Sequence, residues 1–319
     1  MVTAPLPTPF RPGTWAAVAR QIDSIRSLGI EVDVLEIEGL RGIKYLQALR
    51  RLSERSSRAN LIHAHYGYCG WVSRLQRRKP VVVSFMGSDL LGVADTTGRI
   101  TASSRVVVEI DRRLARLVDA VIVKSREMAH VLRPVVAHVI PNGVDLDAFQ
   151  PLDRSAARDR LGWHDRKPRV LFPGNPALPN KGFPLARAAV DVASSALGEA
   201  VEIVLLSDIA PHQVPVYLSA CDAMLVASYT EGSPNAVKEA MACNLPVIAV
   251  PVGDVPELLS GVESSAVCPR DPQVLGSELA RLLTSSGRSN GRETIETRGL
   301  DLANVAHRVA AVYRDVLQR

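Results

Sequence analysis

The amino-acid sequence predicts an α/β protein built as two Rossmann-like, doubly wound parallel-sheet domains. Three observations carry that prediction. Short runs rich in Val, Ile and Leu recur along the chain, near-continuous rather than alternating, as in parallel strands covered on both faces. Segments of helical apolar periodicity separate them. The series restarts near the middle of the 319 residues, a length that suits two domains, each burying its own core.

In order, the first series has strand candidates at 31–37, 60–64, 80–85, 119–124 and 137–140. The second has them at 169–173, 201–206, 222–227 and 246–250. The opening helix, 14–28, sets Trp15, Val18, Ala19, Ile22, Ile25 and Leu28 on one stripe. A helix at 43–57 has Ile43, Leu46, Leu49 and Leu52 as its apolar edge. Pro141, Asn142 and Gly143 form a turn signal, and 153–162 reads as a short polar helix. The expected domains are 1–148 and 149–299. The last helix, 300–317, presents Leu302, Val305, Val309, Val312, Val316 and Leu317 as its inner face. Only residues 1–4 precede the Pro-rich loop 5–13, whereas strands usually run to about five or six residues. The first strand is therefore expected to begin ahead of Met1.

Composition narrows the function classes. Aromatic residues are 4% of the chain, which argues against stacking platforms for single-stranded nucleic acid. Cys69, Cys221, Cys243 and Cys268 have neither metal-ligand nor redox spacing and read as small core hydrophobes in a reducing cytosol. The longest apolar run, 245–252, is far short of the ~18–20 residues of a membrane span. The N-terminus lacks a charged n-region and an apolar h-region, so a cytoplasmic location is expected. Charge is uneven: residues 1–150 carry +7 and residues 151–319 carry −2. Residues 41–79 hold ten basic side chains and one acid, Glu54, so the first half is expected to face something anionic.

The most informative segment is YTEGSPNAVKEAMACNLPVIA, residues 229–249. A strand leads into Glu231 and Gly232, with Ser233 in N-cap position and Pro234 in the first turn of a helix beginning at Asn235. Free amides and the positive dipole end make such a turn an anion site at the carboxyl end of a parallel strand. Glu231 precedes the helix and Glu239 lies within it. One carboxylate can accept both hydroxyls of a ribose diol, and another can fix a sugar hydroxyl. A capped helix with two surface glutamates is the plainer reading, and the paired Glu around a Gly-Ser-Pro-Asn turn outweighs it.

This segment resembles the Glu-x7-Glu signature of retaining glycosyltransferases of family 4. HAHY at 63–66, FMGSD at 85–89, IPNGVD at 140–145, Phe172–Pro173–Gly174 with Lys181 and Gly182, and VPVYLSACD at 214–222 resemble further family segments in the same order. The resemblance implies a GT-B type fold, two Rossmann-like domains facing across a cleft, with the last helix packing back on the first domain. It implies a nucleotide-diphosphate sugar in the C-terminal domain and the acceptor in the N-terminal one. Glu239 would then bind the ribose and Glu231 the donor sugar, with Gly232, Ser233, Pro234 and Asn235 lining it. Lys181 would neutralise the leaving diphosphate, beside Gly174 and Asn175. Ile209 would border the base, and Gly13 would allow close backbone approach. His65, Met86 and Asp89 would lie on the acceptor side. No metal or other cofactor is implied.

Two positions depart from the family. Asn175 stands where the family has a phosphate-binding Arg, and Met86 where it usually has His. Asn brings no charge and Met cannot transfer a proton. Neither departure forbids catalysis, because the leaving phosphate oxygen is thought to take the acceptor's proton in enzymes of this type. Both keep a non-catalytic nucleotide-sugar-binding partner open as an alternative; a nucleotide-sugar epimerase ranks third. His63 and His65 share one strand face and read as a packed, hydrogen-bonded pair, since a metal needs a third ligand at suitable spacing. Lys44, Arg51, Arg55 and Arg58 share a helix face, expected to meet anionic lipid on the inner face of the plasma membrane or a lipid-linked acceptor. Nucleic acid is not expected, because no binding motif accompanies the charge. The expected function is transfer of a sugar to a lipid-linked glycan, a polysaccharide intermediate or a small molecule.

Overall fold

The computed structural model describes residues 1–8, 15–40, 42–285 and 287–319. The chain divides into two compact units, one of Met1–Val93, Ile100–Gly143 and Leu302–Arg319, the other of Ala94–Arg99 and Val144–Asp301.

The first unit holds six parallel strands: β1 (Val2–Thr3), β2 (Leu35–Glu36), β3 (Ile62–His65), β4 (Val81–Ser84), β5 (Ala120–Val123) and β6 (His138–Val139). Their order is β2-β1-β3-β4-β5-β6, so the winding reverses between β1 and β3. Every residue of β3, β4 and β5 is buried, because helices cover both faces. On one face Val82 and Ile122 pack with Ile25 of α1 (Ala16–Arg26) and with Val305, Val309, Val312 and Tyr313 of the helix Leu302–Leu317. On the other, Val81, Val83 and Val121 meet Ala48 and Leu52 of α2 (Ile43–Arg55) and Cys69 and Val72 of α3 (Gly67–Leu75). Valine and isoleucine suit both settings, since they pack well on a pleated surface.

Three packing expectations need correction. Ile43 and Leu46 are 53% and 72% exposed; α2 buries only Ala48 and Leu52, because its first turn meets α3 through Lys44 and Tyr45, which lie against Tyr68, rather than through Ile43 and Leu46. Leu317 is half exposed at the fraying end of its helix. The strand read at 31–37 pairs only over Leu35–Glu36, because its neighbour β1 supplies just two residues for the ladder.

The second unit holds β7 (Arg169–Phe172), β8 (Glu202–Leu205), β9 (Ala223–Val226), β10 (Val247–Ala249) and β11 (Ala266–Val267), all parallel, in the order β11-β10-β9-β7-β8. Here the winding reverses between β7 and β9. Asp222 at the head of β9 takes 2.7 Å ion pairs from Arg154 and Arg158 and accepts the Arg169 amide. That network joins the helix Arg154–Arg160 to the start of the sheet. Arg292 donates to the carbonyls of Leu146, Phe149 and Ala242, fixing the entry of the chain into this unit. All four cysteines are buried free thiols. Among the described residues no helix is long and apolar enough to cross a membrane.

Candidate active site

In open α/β sheets, ligands sit outside the carboxyl ends of strands where the winding reverses. In the second unit that point lies between β7 and β9, and both loops leaving it carry candidate residues. The loop after β7 holds Gly174, Asn175 and, on the short 3-10 turn Pro179–Lys181, Lys181. The loop after β9 holds Glu231 and runs into the helix Asn235–Ala242. Lys181 Nζ donates to Glu231 Oε1 at 2.7 Å, with both side chains partly shielded from solvent.

The pair is held by backbone stitching. Asn180 donates from Nδ2 to the Thr230 carbonyl (3.0 Å), receives the Thr230 hydroxyl on Oδ1 (2.6 Å), and accepts the Tyr229 amide on its carbonyl (2.8 Å). Gly182, at φ +67°, has no room for a side chain: an added Cβ would lie 2.1 Å from the Ala227 carbonyl oxygen. Arg270 donates to the carbonyls of Ala227 and Ser228 and stacks 4.0 Å from the Tyr229 ring centroid. Gly253 (φ +55°) is pressed against the Glu231 and Gly232 carbonyl oxygens, where a Cβ would approach within 2.6 Å.

Ser233 differs from expectation. Pro234 is the N-cap, and no side chain caps the helix. Ser233 is buried and its Oγ instead accepts from Lys238 Nζ at 2.9 Å. Lys238 is itself fully buried. Burial pushes the neighbouring Asp254 carboxyl up to about 6, opposed by Lys238 and by a Ser233 hydrogen bond. A charged frame thus lies behind the Glu231–Pro234 turn. The signal for it was a lysine among the buried positions Val237, Ala240 and Met241 of the signature helix.

The remaining donor-side candidates are scattered differently. Glu239 is half-buried on the same helix, four residues past its start, and Ile209 is half-buried in the loop after β8. Asn175 is exposed, and its side-chain oxygen accepts the Ala177 amide (2.8 Å). It shapes its own loop. Gly13 lies outside the described residues.

In the first unit, His65 and Asp89 are buried. Asp89 accepts the Met86 and Gly87 amides at 2.8–3.0 Å. Burial raises its carboxyl to about 6 against those bonds. Asp89 therefore folds the loop after β4, while Met86 is half-buried upon it. His63 shares hydrogen bonds with the Tyr313 hydroxyl (Nδ1, 2.6 Å) and Ser84 Oγ (Nε2, 2.8 Å), ligands enough for a packed histidine. His65 lies 4.3 Å away, ring to ring, but among the described residues neither of its ring nitrogens has a hydrogen-bond partner, so of the expected hydrogen-bonded pair only His63 is bonded and His65 is held by packing. Burial, then His63 and the buried Lys124, push His65 well below the usual imidazole range. Burial and Lys124 do the same to His63. Arg55 of the basic face is committed to Asp33 (3.2 Å) and the Val34 carbonyl, and Lys44 lies over two tyrosine rings. Arg51 and Arg58 are exposed.

Comparisons with known proteins agree with this arrangement. The family described as Glycosyltransferase Family 4 matches residues 8–148, and Glycosyl transferases group 1 matches residues 184–285. A D-inositol 3-phosphate glycosyltransferase of Geodermatophilus obscurus is 27% identical over 304 residues, covering 79% of this chain and 67% of the relative. A putative teichuronic acid biosynthesis glycosyltransferase of Bacillus subtilis is 30% identical over 253 residues, covering 73% and 64%. The chain spans about half to two thirds of the length of the curated relatives it matches. Among solved structures, a sucrose-phosphate synthase of Thermosynechococcus elongatus superposes with TM-score 0.76 at 20% identity, covering 96% of this chain and 94% of that one. Anabaena Alr3699/HepE in complex with UDP-glucose gives 0.69 at 18% identity, covering 98% of each. Identities that low speak for the fold alone. The chain thus carries a Glycosyltransferase Family 4 domain over residues 8–148 and a Glycosyl transferases group 1 domain over residues 184–285, on the GT-B fold of these solved structures.

Proposed function

We propose that the chain is a retaining hexosyltransferase whose second unit binds a nucleotide-diphosphate sugar and whose first unit binds the acceptor. The observation that carries this reading is the Lys181–Glu231 pair at the winding reversal of the second sheet. A cation beside a carboxylate there suits a donor whose sugar and diphosphate are pulled apart during transfer. Lys181 leaves Glu231 for the diphosphate as the donor enters and balances the charge that develops on the departing oxygens. Glu231, released, orients the sugar together with the backbone N–H groups of Gly232, Ser233 and Asn235, Pro234 having none to give. Glu239 takes the ribose diol, and the loop at Ile209 borders the base. The reaction needs no metal, because Lys181 and the helix end supply positive charge. The departing phosphate oxygen takes the acceptor's proton, so Met86 in place of a histidine is compatible with turnover.

A mixture of labelled UDP-, GDP- and ADP-sugars tests the reading. A thermal-shift panel selects the donor, since a ligand bound only by the folded chain raises its stability. Transfer to an acceptor with retained anomeric configuration is the expected product. An epimerised donor, or a bound donor that stays unchanged with every acceptor, would replace this reading by one of the two alternatives. Full activity in the Glu231→Ala/Lys181→Ala double variant would remove the site assignment. Arg51 and Arg58 additionally suit a salt-sensitive contact with anionic lipid, measured by vesicle co-sedimentation at two ionic strengths.

A further inference from the structure

The chain has three Trp, six Tyr and five Phe, and four of these rings form one row on the first unit. Trp15 and Tyr66 meet edge to face at 5.8 Å, Tyr66 and Tyr68 follow at 5.3 Å, and Tyr68 and Tyr45 at 5.9 Å. The row starts where the winding of the first sheet reverses, since Trp15 directly precedes α1, the helix that follows β1, and Tyr66 directly follows β3. Both stand at positive φ, 59° and 83°, a setting that bulky residues adopt only when the surroundings impose it and that gathers at functional sites. Tyr66 is further held by a 3.0 Å bond between its hydroxyl and Ser88 Oγ.

At its far end the row changes character. Lys44 Nζ lies 5.1 Å from the Tyr45 ring centroid and 5.7 Å from that of Tyr68, a cation seated between two aromatic faces. Beyond it, Leu40, Ile43 and Leu46 are 77%, 53% and 72% exposed. The buried core of this unit is mostly aliphatic, with Phe85 and Tyr313 as its rings; of the row only Tyr68 leans on that core, and Trp15, Tyr66 and Tyr68 all remain half-buried. In sequence along the surface come aromatic faces at a sheet crevice, one cation, and then bare aliphatic side chains. Aromatic faces stack sugar rings, an ammonium pairs with phosphate, and aliphatic side chains shelter hydrocarbon.

We propose that this row is the acceptor track and that its occupant is an amphiphile, a sugar on a phosphorylated polyisoprenyl-type carrier. The sugar lies at Trp15 and Tyr66, the phosphate meets Lys44, and the chain leaves over Tyr45, Ile43 and Leu46. The proposal rests on the glycosyltransferase reading for the word acceptor, while the binding itself does not depend on the donor. It narrows the three acceptor classes that the sequence leaves open to one. The excess of basic over acidic side chains in residues 41–79 complements the phosphate.

Calorimetric titration of the whole chain with farnesyl diphosphate, inorganic diphosphate and farnesol tests the track. Farnesyl diphosphate is expected to bind at least about tenfold more tightly than either half, a gain of about 1.4 kcal/mol. Tyr45→Ala and Leu46→Ser, both at exposed positions, should each lower that affinity several-fold. Lys44→Gln should erase the preference for farnesyl diphosphate over farnesol. Val106→Ser, on an equally exposed apolar position of the helix Ala102–Ala115, should change nothing and reports non-specific adsorption. The nucleotide-sugar thermal shift should be intact in all four variants. Equal affinity for diphosphate with and without the farnesyl chain, or wild-type affinity in the three row variants, overturns the track. If nucleotide sugars stabilise the protein and farnesyl diphosphate does not bind, the track alone fails. If farnesyl diphosphate binds with the expected variant pattern and no nucleotide sugar stabilises the protein, the donor reading fails and the track stands.

Discussion

The two sheets reverse their winding in the same way but furnish the crevice with opposite chemistry. In the second unit the loops bring a cation and a carboxylate into contact, Lys181 with Glu231, over a frame of tight glycines and a second buried charge, Lys238. In the first unit the charged and titratable groups near the strand ends, His63, His65, Asp89 and Lys124, are all buried, and aromatic rings take the surface. Point charges are strong only when backbone and partners hold them in register, and the second unit spends its glycines on that. Aromatic faces tolerate small displacements, so the first unit builds with side chains what the second builds with backbone.

The sharpest test of that contrast is Gly182→Ala. The Cβ collides with the Ala227 carbonyl at a positive φ, so a loss of about 3–4 kcal/mol in denaturant unfolding is expected, together with loss of the nucleotide-sugar thermal shift. A wild-type midpoint would mean the second unit's loops are looser than described. Lys238→Met comes next. It strips the buried cation from Ser233 and Asp254, costing about 2–4 kcal/mol and weakening donor binding. Because the cost includes a carboxylate left buried, the additional change Asp254→Asn should restore part of the stability.

The smallest of these effects compares the units through pH. Burial first, then the Asp89 charge, raises Asp111 to about 7; burial raises Asp89 and Asp254 to about 6. The folded chain therefore keeps protons that the unfolded chain has released. Stability from these three groups is full below about pH 4 and is lost as pH rises through 6–7. His63 and His65 oppose them, since their stability is present above about pH 6.5 and lost as pH falls. Asp111→Asn should flatten the fall between pH 5 and 8 by about 2 kcal/mol. The measurement is denaturant unfolding across that range, with the first unit's near-ultraviolet signal followed separately. An unchanged slope would show that Asp111 stays charged in the fold.

Legibility in the sequence followed the length of the interaction. Glu231, Gly232 and Asn235 are neighbours in the chain, and a strand-turn-helix places them whatever surrounds it, so they could be read directly. Ser233 looked like a cap because Ser commonly caps helices; Lys238 claims its hydroxyl instead, an outcome decided by what is buried beneath the turn. Arg270 reaches Ala227 from 43 positions away, and no local pattern announces it. Ile43 and Leu46 carry the period of an inner face, yet periodicity says which side chains share a face and not whether anything covers it. The row from Trp15 to Tyr45 draws on three separate segments, each with a single unremarkable ring or two.

The opening alternation of apolar runs and helices was enough for the α/β class, two parallel sheets and the strand-turn-helix around Glu231, because strand burial and helix starts are set within a few residues. Which strand lies beside which, and hence where each sheet reverses its winding, depended on pairings between segments tens of residues apart. That pairing alone sets Lys181 against Glu231 and Trp15 against Tyr66. A side chain's chemistry is carried in the sequence, but its partner is chosen by packing, and both candidate sites of this protein are made of partners.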